Sequence, residues 1–394
     1  MTEFHYVCSE CRRSFAPSGI HYLCPHCSTE STATVPLRGV LEVHYDLKKP
    51  LAGVKDRAGY EDLCPVESSY FPPIPVGNTP LFRAPNLEKV LGLDNIFLKN
   101  EGQNPSGSLK DRASFLVVAQ ANYLGEEEIV TASTGNAASA LAAVCAAAAK
   151  KAVIYVPKSV PRGKLVQSLL YGADVRLVDG SYDDAFTLSL EHTQKHGGLN
   201  RNTAFNPFTI EGKKTVSFEI FDQLGSAPDY VVVPMGDGVI ISSVYKGFFD
   251  LKQSNVIGKI PRLIGVQGGG SCAIHNFLKT GNYSHASDPK TIADSICVSR
   301  PSNAFMAKRV IEQSNGFSVL VSDQQILKYQ KTLARTTGVF AEPAAAATIA
   351  GMAQCASRIA PESSCVALIT GNGLKDIDAA ITDLSFPGLS RRPS

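Results

Sequence analysis

The chain has 394 residues, 44% of them hydrophobic and 19% charged, which suits a soluble globular protein with two or three domains. Its formal net charge of +2 is too small to indicate nucleic acid or an acidic membrane surface as a partner. No apolar run reaches the roughly 18 residues that a membrane span needs, and the start, MTEFHYVCSEC, lacks the cationic head and apolar core of a signal peptide, so a cytoplasmic location is expected.

The first element is a cysteine quartet. Cys8, Cys11, Cys24 and Cys27 form C-x2-C-x12-C-x2-C. Two Cys-x-x-Cys knuckles on a hairpin-sized spacer can set four thiolates around a zinc ion. So short a segment buries too little apolar area to fold alone, and a metal would supply that stability. His21 and His26 are nearby, but four thiolates already fill the shell. A closed site of this kind is structural rather than catalytic. The bland alternative is a metal-free remnant or a redox pair.

After a Pro-rich bend at 70–85 the chain alternates. Strand-like NIFLKN (95–100) leads to a polar loop and a helix from Ala113. Strand-like EEIVTAS (127–133) leads to the Ala-rich helix NAASALAAVCAAAAK. AVIYVP and ADVRLVDG each precede a helix, and DYVVVPMGDG, PRLIGVQGGG and CVALITGNG repeat the scheme. Such alternation predicts parallel sheets wrapped by helices. Ligands of such sheets bind at the carboxyl ends of the strands. The last residues look disordered.

Four loops stand at those ends: SGSLKD with Lys110, STGNAAS (133–139), MGDGVIISS (235–243) and TGNGLKD (370–376). Glycine lets the backbone approach an anion, and helix-start N–H groups point at it. One such loop is common in α/β proteins; four together with a lysine are not. The nucleoside-triphosphate and dinucleotide fingerprints are both absent. A lysine desolvated beside helix N-termini has a lowered pKa and can hold an aldehyde as a Schiff base. Pyridoxal phosphate carries both an aldehyde and a phosphate, and it needs one lysine, one phosphate cradle and one partner for the ring nitrogen.

NPSGSLKDRAS, STGNAASA, GVFAEPAAAATIAG and TGNGLKD resemble the signatures of fold-type II pyridoxal-phosphate enzymes. Within that group the chain is most similar to the threonine synthases, as VGNTPL, NPFTIEGKKT, ADSICV and the ribbon-like start followed by RGVLEVHYDL also indicate. The resemblance implies an α/β fold of two three-layer parallel-sheet domains behind a zinc-ribbon-like segment. The segment spans 1–45, a large cofactor domain 46–95 and 215–385, a small domain with the lysine 96–214, and a flexible tail 386–394. It implies a homodimer.

By the same resemblance Lys110 is the Schiff-base lysine and the base at Cα and Cβ. Asn136 holds the phenolic oxygen of the cofactor, and Gly236, Asp237, Gly238, Val239 and Ile240 form its phosphate loop. Thr370 faces the ring nitrogen. Ser133, Thr134, Ser139 and Asn206 bind the substrate, a phosphorylated amino acid. Glu342 is as readily structural as functional, and Lys375 reads as structural. The implied reaction turns O-phospho-L-homoserine and water into L-threonine and phosphate.

The chain departs from the family pattern in places. Val239 stands where many relatives have Gly or Asn, and Asp237 puts a negative charge near a dianion, so its side chain is expected to turn away. Thr209 replaces an Arg that is a candidate substrate-phosphate ligand. These departures bear on the substrate more than on the cofactor. A cysteate synthase or a threonine or serine dehydratase would keep the same cofactor residues, whereas a non-catalytic paralog would keep the fold.

Overall fold

The computed structural model describes residues 3–18, 22–30, 35–46, 63–160 and 162–381. His21 and the tail expected at 386–394 lie outside them. The N-terminal segment forms β1 (Phe4–Cys8), β2 (Ser14–Phe15) and β3 (Leu41–Tyr45), an antiparallel sheet in the order β2-β1-β3. Then come β4 (Leu81–Arg83), α1 (Pro85–Leu91), β5 (Asn95–Asn100), α2 (Lys110–Leu124), β6 (Glu128–Ala132), α3 (Asn136–Ala147), β7 (Lys151–Pro157), α4 (Arg162–Leu170), β8 (Asp174–Val178), α5 (Tyr182–His196) and β9 (Leu199–Asn200). The rest is α6 (Phe208–Leu224), β10 (Tyr230–Pro234), α7 (Val239–Gln253), β11 (Arg262–Gly268), α8 (Ala273–Thr280), α9 (Ala304–Gln313), β12 (Phe317–Val321), α10 (Asp323–Thr337), α11 (Pro343–Cys355), β13 (Ser364–Ile369) and α12 (Ile377–Ile381).

Two further sheets result. The larger runs β12-β11-β10-β13-β5-β4 and is parallel except for β4. The smaller runs β8-β7-β6-β9 and is wholly parallel. The small-domain boundary expected at residue 96 falls inside β5. That strand pairs with β13 and β4, so residues 95–100 belong to the larger sheet.

The strands of the larger sheet read as continuous apolar runs because both faces are covered. Tyr230 and Val232 of β10 and Cys365, Ala367 and Ile369 of β13 face a core shared with α1, α10 and α11. Val231, Val233, Val366 and Leu368, the alternate residues, face a second core with α6, α7, α8 and α9. The N-terminal sheet is not an appendage. Phe4, Tyr6, Leu41 and Val43 pack into the core of α2 and the small sheet. Val40 packs against Val239, Ala204 and Ile210. Arg309 of α9 holds this sheet in place, donating to the Ser9 carbonyl at 2.8 Å and to Glu42 at 2.6 Å. Among the described residues no helix is long and apolar enough to cross a membrane.

Helix α2 lies between the two sheets and packs on α6. Gly212 of α6 makes that approach possible, because an added Cβ would fall onto the carbonyl oxygen of Arg112. A buried ion network crosses the same junction. Arg112 reaches Glu101 at 2.6 Å and Glu219 at 2.7 Å, and Lys99 reaches Glu219 at 2.7 Å. Arg112 and Lys99 beside it hold the Glu219 carboxyl well below the usual range, against the opposing effect of burial. A depressed carboxyl contributes stability that is complete above its unfolded pKa, about 4.3, and is lost as pH falls towards the folded value. Glu219→Gln is therefore expected to cost on the order of 3–5 kcal/mol at pH 7. In urea unfolding followed by circular dichroism, the gap from the wild type should narrow below about pH 4.

Candidate active site

The carboxyl ends of strands from both sheets meet at one cleft of about 160 Å³. Its walls include Lys110, Ser133, Thr134, Gly135, Asn136, Tyr182, Arg201, Thr203, Asp237, Asp294 and Ser295. Lys110 opens α2, three residues earlier than the helix start read from the sequence. The reason is its two neighbours. The Asp111 carboxylate accepts the Ser106 N–H at 2.7 Å and also the Ser106 hydroxyl, which fastens the preceding loop onto the first turn. Arg112 is held by the ion network. Between these anchors Lys110 faces the cleft. Its amine has no hydrogen-bond or ion-pair partner among the described residues. Burial pushes its pKa down, with Arg201 assisting and Asp237 and Glu342 opposing.

Thr370, at the end of β13, accepts the Leu109 N–H on its carbonyl at 2.9 Å and so ties the last strand to the residue before Lys110. Its hydroxyl donates to Glu342 at 3.5 Å. Glu342 also accepts from the Asn136 amide at 2.8 Å and the Ser295 hydroxyl at 3.2 Å. Burial raises the Glu342 pKa, although Asn136, Lys110 and Ser295 act the other way. This carboxyl joins three loops that the sequence reading treated separately.

The loop after β10 turns into α7 through Gly238, whose φ of 89° is left-handed. A Cβ there would come within 2.8 Å of the Ala307 Cβ, so both backbone and space require glycine. Gly236, Val239 and Ile240 complete the loop, with Val239 wholly buried against the Val40 side of the N-terminal sheet. Asp237 does not turn out of the cleft as expected. It lines the cleft, and its carboxylate caps α7 by accepting the Val239 N–H at 3.0 Å.

Two expected substrate residues stand elsewhere. Ser139 is buried behind the cleft wall. Its hydroxyl donates to the Asn136 carbonyl at 3.3 Å and accepts from the Lys375 ammonium at 2.8 Å. Asn206 is fully buried with its amide already used. It donates to Gln120 at 3.2 Å and to the Asn200 carbonyl at 2.8 Å, and it accepts the Phe208 N–H at 2.8 Å. Ser133 and Thr134 do line the cleft. The sequence reading assigned no role to Tyr182, Arg201, Thr203 or Asp294. Arg201 and Thr203 follow β9, a strand of only two residues with too short a pattern to detect. Ser295 lay within ADSICV, which was noted only for its resemblance.

Outside the cleft lining, Cys8, Cys11, Cys24 and Cys27 place their sulfurs within 4.8 Å of one another. Thiolates at the corners of a tetrahedron about 2.3 Å from a metal stand about 3.8 Å apart. The Cys8–Cys27 separation is 3.8 Å and the Cys11–Cys24 separation 3.7 Å. The quartet thus fits one metal ion with no open position.

The fold and cleft are those of a fold-type II pyridoxal-phosphate dependent enzyme. A family profile described as "Pyridoxal-phosphate dependent enzyme" matches residues 74–371. Among solved structures, tomato threonine deaminase isoform 2 aligns with a TM-score of 0.67 at 26% identity, over 79% of this chain and 88% of that one. Maize serine racemase aligns with a TM-score of 0.66 at 22% identity, over 75% and 88%. The threonine synthase of Methanocaldococcus jannaschii is 37% identical over 95% of this chain and 93% of its own length. That of Methanosarcina acetivorans is 35% identical over 96% and 94%. The chain belongs to the threonine synthase family.

The cysteine geometry is directly testable. Elemental analysis of the purified protein should find about one equivalent of a thiolate-binding metal per chain. Cys24→Ser should lose most of it and lower the thermal midpoint. A folded, fully reduced wild type without metal would refute the assignment.

Proposed function

We propose that this chain converts O-phospho-L-homoserine and water into L-threonine and phosphate, using pyridoxal phosphate held at the cleft. The observation that carries the reading is the Lys110 amine, partnerless and with its charge disfavoured, where loops of both sheets converge. When bound, the cofactor supplies an aldehyde for an amine and a ring that accepts negative charge from Cα.

The residues present fit that group. Lys110 would hold its aldehyde carbon. Amides at the start of α7 that Asp237 leaves free would meet its phosphate. Asn136 would meet its phenolic oxygen and the Thr370 hydroxyl its ring nitrogen. An uncharged hydroxyl there leaves the nitrogen unprotonated. Ser133 and Thr134 hold the substrate carboxylate beside the start of α3.

With the substrate held, Lys110 takes the proton from Cα and moves a proton at Cβ. The lowered pKa makes the amine a base nearer neutrality than a solvated lysine. The C–O bond at Cγ breaks and phosphate leaves with the electron pair. Water then adds its hydroxyl at Cβ; of the protons taken from Cα, Cβ and water, one turns Cγ into the methyl group, one returns to Cα and one goes to the departing phosphate, so atoms balance.

We also infer that the metal of the cysteine quartet is zinc, since four thiolates with no open position suit a structural zinc site. A homodimer and a cytoplasmic location complete the reading.

Two measurements test it. Protein loaded with pyridoxal phosphate should absorb near the visible–ultraviolet edge, and Lys110→Ala should lose that band. The wild type should release phosphate from O-phosphohomoserine in step with threonine. Ammonia and a keto acid formed from serine or threonine, with no phosphate release, would instead identify a dehydratase.

A further inference from the structure

We propose that Arg201 and Lys213 form a subsite for the phosphate-ester dianion of the substrate and make the cleft selective for a phosphorylated leaving group. The proposal deepens the threonine synthase reading and rests on it.

Six lysines and arginines are buried among the described residues: Lys99, Arg112, Arg201, Lys213, Lys214 and Lys246. Four of them have carboxylate partners. Lys99 and Arg112 pair with Glu219, and Lys214 and Lys246 with Asp250. Arg201 and Lys213 make no ion pair among the described residues, although each is only 1% exposed. Arg201 donates to the Ser114 hydroxyl at 3.2 Å and to the Lys110 carbonyl at 3.5 Å. The Lys213 ammonium donates to the Thr203 hydroxyl at 3.2 Å. A buried cation without a counter-charge is costly. Among the described residues two of the six bear that cost: Arg201 lines the cleft, and Lys213 reaches Thr203 on the cleft wall.

The neighbouring charges narrow the ligand. Asp237 is the carboxylate whose field reaches Arg201, Lys213 and Lys110 alike. That carboxylate, already capping α7, is common to the Arg201 guanidinium and the Lys110 and Lys213 amines. A dianion supplies what is missing, and a guanidinium, an ammonium and a hydroxyl together match a phosphate.

Topology assigns that phosphate to the substrate. β6 and β9 are neighbouring parallel strands, so Ser133–Asn136 and Arg201–Thr203 leave one sheet side by side. The α7 loop, proposed for the cofactor phosphate, follows β10 of the other sheet. The small-sheet wall thus offers hydroxyls for a carboxylate and cations for a second anion.

Position 209 is not part of this subsite. Thr209 is fully buried and its hydroxyl donates to the Asn206 carbonyl at 2.8 Å. Lys213 lies one turn further along the same face of α6. Its longer side chain brings a charge to Thr203, where Thr209 brings none.

The test uses full-length, pyridoxal-phosphate-loaded protein and inorganic phosphate as the probe. Equilibrium dialysis should show Lys213→Met weakening phosphate binding by about tenfold or more. Lys213→Arg should stay within about threefold of the wild type, and Arg201→Lys should weaken binding as a second variant. Cofactor retention should not change. Without phosphate, the thermal midpoint of Lys213→Met should equal or exceed that of the wild type, because an unpaired buried charge has been removed. Wild-type phosphate affinity in both Lys213→Met and Arg201→Lys would overturn the proposal. So would loss of pyridoxal phosphate with phosphate binding intact, which would give these cations to the cofactor. Turnover of O-phosphohomoserine by the wild type is measured separately, so failure of the subsite and failure of the threonine synthase reading remain distinct.

Discussion

The position of Lys110 depends on the arginine two residues after it. Arg112 reaches across to Glu101, just after β5, and to Glu219 on α6, while Lys99 closes the network from β5 itself. The first turn of α2 is thereby tied to the larger sheet and to the helix it packs on. Apolar groups of equal volume could match such a network in stability. They could not match its direction, because guanidinium–carboxylate contacts fix an angle as well as a distance. Asp111 does the same for the incoming loop through Ser106. In the run Lys-Asp-Arg, Asp111 and Arg112 hold the turn and Lys110 faces the cleft.

From that turn the rest of the cleft follows by topology. Two parallel sheets point the carboxyl ends of β5, β10 and β13, and of β6 and β9, at the same space. The N-terminal sheet adds support from behind, since Val40 packs on Val239 at the start of α7. The cysteine quartet does not line the cleft, but it is tied to the residue before Val40, since the Cys24 N–H donates to the Gly39 carbonyl at 2.7 Å. The N-terminal sheet thus supports the start of α7.

Much of this was legible in the sequence. The strands at 95–100, 230–234 and 364–369 announced themselves because burial on both faces demands unbroken apolar runs. The cleft lysine was legible because glycine, proline and serine surrounded it. Side-chain directions were not. Ser139 sits in a substrate-like motif, yet its hydroxyl is taken by Lys375 from 236 residues away. Asn206 looked available and is saturated by its own loop and by Gln120 of α2. β9 escaped notice because two residues make no pattern, and with it went Arg201 and Thr203. Local sequence carries periodicity and turn chemistry, whereas hydrogen-bond partners are settled only when distant segments meet.

Glu342 shows why the amine stays free. A carboxylate near a lysine would ordinarily become its counter-ion and restore the ammonium. Here burial raises the Glu342 pKa and weights the group towards its neutral form. Its oxygens are moreover engaged by Asn136, Ser295 and Thr370. The group therefore serves as a hydrogen-bond hub for the loops around the cleft, and its pull on the Lys110 charge is outweighed by burial. Arg201, buried without an ion-pair partner, presses the same way. A basic amine is thus maintained by burial, with Arg201 assisting, against the pull of Asp237 and Glu342.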